Sequence, residues 1–191
     1  MSNLSGVRRV LFMMMLLPLV AWLGACATSL PVDSSTVAPV LRLAPATLGR
    51  AMALQQHVIV EARGRTDAID VLLEVDATAV RLAVLSTGQT AARLEWDGTT
   101  LSVWRAPWWP DVVKAERILS DLQFIYWPVA AIRGALPAGW SLDVSSQQRV
   151  LRYDHRVVMT IRYPTATAVE LTHQLEAYRL RIETSNLEAP R

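Results

Sequence analysis

The feature that most constrains this chain is a hydrophobic period of two that begins at Leu54 and is sustained to Val103. Val58, Val60 and Ala62 alternate with His57, Ile59, Glu61 and Arg63, ahead of a turn at residues 64–67. Ile69, Val71, Leu73 and Val75 share one face, opposite Asp70, Leu72, Glu74 and Asp76. Val80, Leu82 and Val84 continue the pattern to a break at Thr87-Gly88-Gln89. Leu94 and Trp96 then run into Asp97-Gly98, a two-residue hairpin signal, with Leu101 and Val103 beyond it. Neighbouring side chains on a strand point to opposite faces, so the pattern predicts five short strands in an antiparallel meander with one apolar face. Water cannot be left against such a face, and another layer must cover it.

The middle of the chain supplies that layer. Pro107-Trp108-Trp109-Pro110 breaks the strand pattern, and Asp111 is placed to cap a helix. Val112, Ala115, Leu119 and Leu122 fall three and four residues apart, with Lys114, Glu116, Arg117 and Asp121 off the stripe, which predicts an amphipathic helix. Pro128 opens a second short helix over residues 129–136, stopped by Pro137-Ala138-Gly139. Strand patterns resume over residues 140–144, 149–153, 157–163, 169–173 and 178–183. The expected fold from these patterns is therefore mainly β (α+β): an antiparallel sheet covered by a helical insert at about residues 111–137.

The first 25 residues read as a leader. Arg8 and Arg9 precede an apolar run over residues 10–22, and Leu23-Gly24-Ala25-Cys26 forms a lipobox. The apolar run is too short for a bilayer core, which takes roughly 20 residues. Cys26 is the one cysteine of the chain, so no internal disulfide supports the fold and a hydrophobic core must. The expected organisation is a signal peptide over 1–25, a lipidated Cys26 with a flexible Ser-, Thr- and Pro-rich tether to residue 45, and a single β-rich domain over 46–191. Loss of Arg8 and Arg9 reduces the 19 basic residues to 17, equal to the 17 acidic ones. Without basic excess, nucleic-acid binding has no electrostatic support.

Catalytic signals are few. His57, His155 and His173 are scattered outside any metal-ligand spacing and read as surface or turn residues. There is no Gly-x-Ser-x-Gly elbow, no second thiol and no phosphate-cradling glycine loop. No catalytic residue, metal or cofactor is assigned. Tryptophan is the unusual element: Trp96, Trp104, Trp108, Trp109, Trp127 and Trp140 all cluster around the insert. An indole combines a large apolar surface with one donor, which suits cavity walls, interfaces and membrane surfaces. Trp108 and Trp109 lie adjacent between two prolines and cannot easily both be buried, which makes them candidates for membrane or partner contact.

Residues 101–140 carry a resemblance. Arg105-Ala106-Pro107-Trp108, Asp121-Leu122-Gln123, Tyr126-Trp127-Pro128 and Leu136-Pro137-Ala138-Gly139-Trp140 resemble a family of proteobacterial lipoproteins encoded within aryl-polyene (fatty-acid-like pigment) biosynthesis clusters. The likeness extends to Ala44-Pro45-Ala46-Thr47-Leu48-Gly49 and Glu95-Trp96-Asp97-Gly98. More distantly, strands, helical insert and strands behind a lipobox are similar to the outer-membrane receptor of the Lol (lipoprotein localisation) pathway. Tyr126-Trp127-Pro128-Val129 with Arg133-Gly134 resembles that receptor's Gly-Trp-x-Leu-Pro segment and later Trp-x-x-Gly, although no Gly precedes Trp127 and no Trp precedes Gly134. The resemblance implies a half-barrel around an apolar cavity that takes acyl chains. It also implies an outer-membrane position on the periplasmic face, because Ala27 and not Asp follows the cysteine.

The expected function is therefore an outer-membrane lipoprotein that binds or transfers an acyl or aryl-polyene lipid, or a lipidated protein. The expected cavity wall is Val71, Leu73, Leu82, Trp96 and Val103 on the sheet, with Leu119 and Leu122 on the helix. The alternative is an accessory lipoprotein whose tryptophans dock a partner in an export or biosynthetic assembly; an enzyme acting on the polyene ranks third. Only the Cys26 thiolate can take the anchor lipid, so Cys26→Ser is expected to abolish diacylglyceryl modification. Intact-mass analysis of the membrane fraction checks this, and a lipidated Cys26→Ser product would refute the anchor.

Overall fold

A computed structural model describes residues 37–186, so Cys26, the leader and most of the tether lie outside the described residues. Ten antiparallel strands form one open, curved sheet in the order β5-β4-β3-β2-β1-β10-β9-β8-β7-β6. The first meander is β1 (Met52–Ala62), β2 (Arg65–Val75), β3 (Val80–Ser86), β4 (Gln89–Trp96) and β5 (Leu101–Arg105). The second is β6 (Trp140–Val144), β7 (Gln148–Tyr153), β8 (Arg156–Arg162), β9 (Ala168–His173) and β10 (Tyr178–Asn186). β10 pairs with β1, joining first and last strands in the middle and leaving β5 and β6 as the two edges. The antiparallel meanders expected from the period-two pattern, and the half-barrel that the resemblance implies, are the observed fold.

Turn chemistry sets the hairpins. Arg63 and Gly64 both hold positive φ between β1 and β2, as do Thr87 and Gly88 between β3 and β4. Two consecutive left-handed residues give the turn whose twist matches the strands they join. Asp97-Gly98 also makes a hairpin, but its loop spans residues 97–100. Asp97 Oδ1 accepts from the amides of Thr99 and Thr100, and this side-chain bracket holds the longer loop. Asp76 does the same between β2 and β3, accepting from the amides of Thr78 and Ala79 while its other oxygen pairs with Arg81.

The insert contains α1 (Ala115–Tyr126) and α2 (Val129–Ala135). The expected start at Asp111 is corrected: Lys114 occupies the N-cap position without a side-chain cap, and Val112 is solvent-exposed ahead of the helix. The chain here is still bridging from the Pro107-Pro110 loop, and the apolar stripe begins one turn later. Leu119, Phe124, Ile125 and Trp127 are buried against the sheet, as is Ile132 of α2. The C-terminus of α1 is anchored because Arg149 donates to the carbonyls of Phe124 and Trp127, and Tyr163 to that of Ile125. A cation at the last turn also opposes the negative end of the helix dipole.

The folded domain begins ahead of the expected boundary at residue 46. Ala38, Leu41 and Leu48 are buried, and residues 38–48 pack alongside α1. Gln123 grips Leu43 at both backbone groups, with Oε1 accepting from the amide and Nε2 donating to the carbonyl, each at 3.0 Å. The Leu43 carbonyl receives a second bond from Trp96 Nε1 at 2.8 Å. Replacing Gln123 by Leu therefore orphans chiefly the Leu43 amide, because the carbonyl keeps Trp96. The expected loss is about 1–3 kcal/mol, the cost of one unpaired buried donor. Chemical denaturation of Gln123→Leu checks this; unchanged stability would show that the segment is held by its apolar side chains alone.

Candidate functional site

Between the curved sheet and α1 lies an apolar cavity of about 170 Å³. Val58, Val71, Val84 and Ile182 form its floor, Ile118, Leu122 and Ile125 its roof, and Trp109 reaches in from the loop before α1. A dry cavity of about 150 Å³ holds one benzene ring, so this chamber holds a ring or the end of a chain, not a whole acyl chain. A wider cleft of about 600 Å³ adjoins it, with Val40, Val60, Ala62, Val112 and Val113 on its walls. The two share Val60, Arg117 and Tyr178 as lining residues.

The shared wall is polar. Tyr178 Oη donates to Asp121 Oδ2 at 2.5 Å, while Asp121 Oδ1 has no hydrogen-bond partner among the described residues. Burial raises the Asp121 carboxyl to about 7, against the opposing pull of Tyr178 and Arg117. Arg117 pairs with Glu176 at 2.6 Å and donates to the carbonyls of Ala38 and Pro39, so it ties α1, the N-terminal segment and the β9–β10 turn together. His173 is corrected from the surface to the interior: it is fully buried and stacks on Tyr178 with ring centroids 5.0 Å apart. Its Nδ1 accepts from the Glu176 amide, which leaves the ring proton on Nε2 in the neutral form. Burial lowers its pKa to about 4. A histidine on a period-two strand gave no sign of this, because the stacking partner comes from the neighbouring strand.

The expected wall residues divide. Val71, Leu82 and Leu122 line the chamber. Leu73, Trp96 and Leu119 are buried but do not line it, and they belong to the packed core. Val103 shares the inner row, being paired with Leu94, but it sits on edge strand β5 beyond the helical cover and is 44% exposed. The tryptophan pair also divides: Trp108 is 52% exposed, whereas Trp109 is half-buried and lines the chamber. Gln56, Asp121 and Tyr178 were not singled out by sequence reasoning. Only their placement by separate elements around one space marks them. Among the described residues, no group of His, Cys, Asp or Glu side chains could hold a metal, and no helix is long and apolar enough to cross a membrane.

Fold and chamber together define a single-sheet half-barrel closed by a helix over an apolar space. The chain belongs to the family described as "Protein of unknown function (DUF3261)", which matches residues 53–186. No curated protein matches the sequence. Among solved structures, a chain of "The complex structure of Pseudomonas aeruginosa MucA/MucB" is similar at 15% identity and a TM-score of 0.40. That match covers 78% of this chain and 56% of the other, so this chain spans little more than half the length of that neighbour.

The two buried titrating groups give a pH test with opposite signs. Asp121 has a folded-state pKa above its ordinary 3.8, so its contribution to stability is lost as pH rises towards 7. His173 has a folded-state pKa below its ordinary 6.5, so its contribution is lost as pH falls towards 4. Between about pH 4 and 6.5 they oppose each other. Asp121→Asn keeps an acceptor for Tyr178 and removes one limb. Its stability relative to wild type should therefore climb with pH across that window, as measured by denaturation midpoints. A constant difference would show that Asp121 does not titrate there.

Proposed function

We propose that this protein is a non-catalytic, outer-membrane-anchored lipoprotein whose half-barrel takes up a hydrophobic ligand under α1. The observation that supports this most is the chamber itself: an apolar space between the sheet and its covering helix. Large voids are rare in packed interiors, because each forfeits dispersion contacts and costs stability. The polar wall of Arg117, Asp121 and Tyr178 offers a place for the polar end of an amphipathic molecule, with its apolar part along the cleft. An acyl chain, an aryl-polyene lipid or the lipid of a lipoprotein fits this description. The anchor at Cys26 would hold the domain at the periplasmic face, since several acyl chains bind a bilayer far more firmly than one.

Exposed Trp108 favours a second reading, in which the protein docks a partner in an export or biosynthetic assembly. The two readings separate at α1. Leu119→Ala is expected to cost about 2–5 kcal/mol and leave affinity for a fluorescent medium-chain fatty acid unchanged per folded molecule. Leu122→Ala enlarges the chamber, so it should cost less and change that affinity by several-fold. Equal binding by wild type and Leu122→Ala, or no binding by either, would remove the chamber as a ligand site.

A further inference from the structure

The two edges of the sheet are finished differently. In an antiparallel pair, residues alternate between those that exchange backbone bonds with the neighbouring strand and those whose amide and carbonyl point away. Along β4 and β5 the alternation is fixed at both ends, because Asp97 N donates to Thr100 O and Ala106 N to Ala91 O. With Leu94 opposite Val103, the same parity places Ser102 and Trp104 in the ladder. The amides and carbonyls of Leu101, Val103 and Arg105 therefore point outward from the open edge, and among the described residues nothing bonds to them.

The β6 edge has the same problem and an internal solution. Ser145 N donates to Gln148 O and Asp154 N to Gly139 O, which sets Leu142 as an outward-facing residue opposite Leu151. Its carbonyl is taken by Arg133 of α2, from Nε at 3.1 Å and Nη2 at 2.8 Å. Among the described residues, no equivalent device covers β5. Its side chains also lack the usual edge protection, since Val103 and Trp104 are 44% and 52% exposed and the only charge on the strand is its last residue, Arg105.

We propose that β5 is a docking edge for an extended peptide of a partner protein, which adds as an eleventh strand and brings an acidic side chain to Arg93 and Trp104. The outward row of alternating donors and acceptors at strand spacing matches another polypeptide backbone, and no lipid or sugar presents that pattern. Charge selects within that class. Arg93 on β4 reaches across to the Trp104 ring, 6.0 Å from its centroid, and makes no ion pair among the described residues. Its charge is thereby carried one strand closer to the edge, where a carboxylate on the added strand meets it on the outer face. On the inner face the same peptide covers Val103 with an apolar residue. This docking does not require a ligand in the chamber.

Backbone parity makes the test selective. Val103→Pro removes an outward amide without breaking a bond to β4, and proline is tolerated on edge strands in that orientation. Its melting temperature should stay close to wild type, whereas Trp104→Pro, which loses a ladder bond, should melt earlier. Peptides of about ten residues would be selected from a displayed library on the intact protein in detergent. Acidic, β-branched sequences should be enriched on wild type and bind Val103→Pro at least about tenfold more weakly. Arg93→Glu should shift the enriched set from acidic to basic. Should Val103→Pro fail to fold, Arg105→Pro removes another outward amide. Equal binding by the proline variants, or enrichment indifferent to Arg93, would overturn the proposal. So would Val103 and Arg105 amides already protected from hydrogen exchange in the protein alone, or self-association that Val103→Pro abolishes.

Discussion

The structure depends on covering one apolar face of a ten-stranded sheet with a twelve-residue helix, helped by α2 and residues 38–48. The helix is short for the task, and it buries residues that are not apolar. Ser120, Asp121 and Gln123 are carried into the interior beside Leu119, Leu122 and Phe124. A buried polar group without a partner costs about 1–3 kcal/mol, so each requires an answer from elsewhere in the chain. Ser120 and Gln123 receive theirs from the backbone of residues 41–43, which is why that segment lies in the domain and not in the tether. Asp121 receives Tyr178 from the far end of the sequence. The polar positions of α1 thus stitch both ends of the domain to the insert.

The same arrangement leaves the chamber. Residues 38–48 fill one flank of α1, and Arg149 with Tyr163 hold its C-terminus. Toward its N-terminus the helix stands over β1, β2, β3 and β10 with aliphatic side chains that do not close the gap. Trp109 occupies part of that gap from the loop, and the Pro107-Pro110 pair limits how far the loop can retreat. Arg117, Asp121 and Tyr178 line one end of the space, backed by buried His173 and by Glu176 at the surface. Stability and site are therefore parts of one constraint.

Much of this was written in the sequence. Period-two alternation in residues 54–103 and again after residue 140 fixed the strands, because side-chain direction on a strand is a local property. Positive-φ pairs such as Thr87 and Gly88 fixed the hairpins for the same reason. The apolar stripe through Leu119 and Leu122 marked the covering helix. Tertiary structure decided the rest. Leu73 and Leu82 are paired across β2 and β3 and both are buried, yet only Leu82 lines the chamber, since the helix above does not close over it. His173 looked like a surface histidine until β10 set Tyr178 against it. Val103 follows the inward pattern but remains exposed because helical cover ends before the edge. Periodicity tells which way a side chain points. Only the folded chain tells what it meets there.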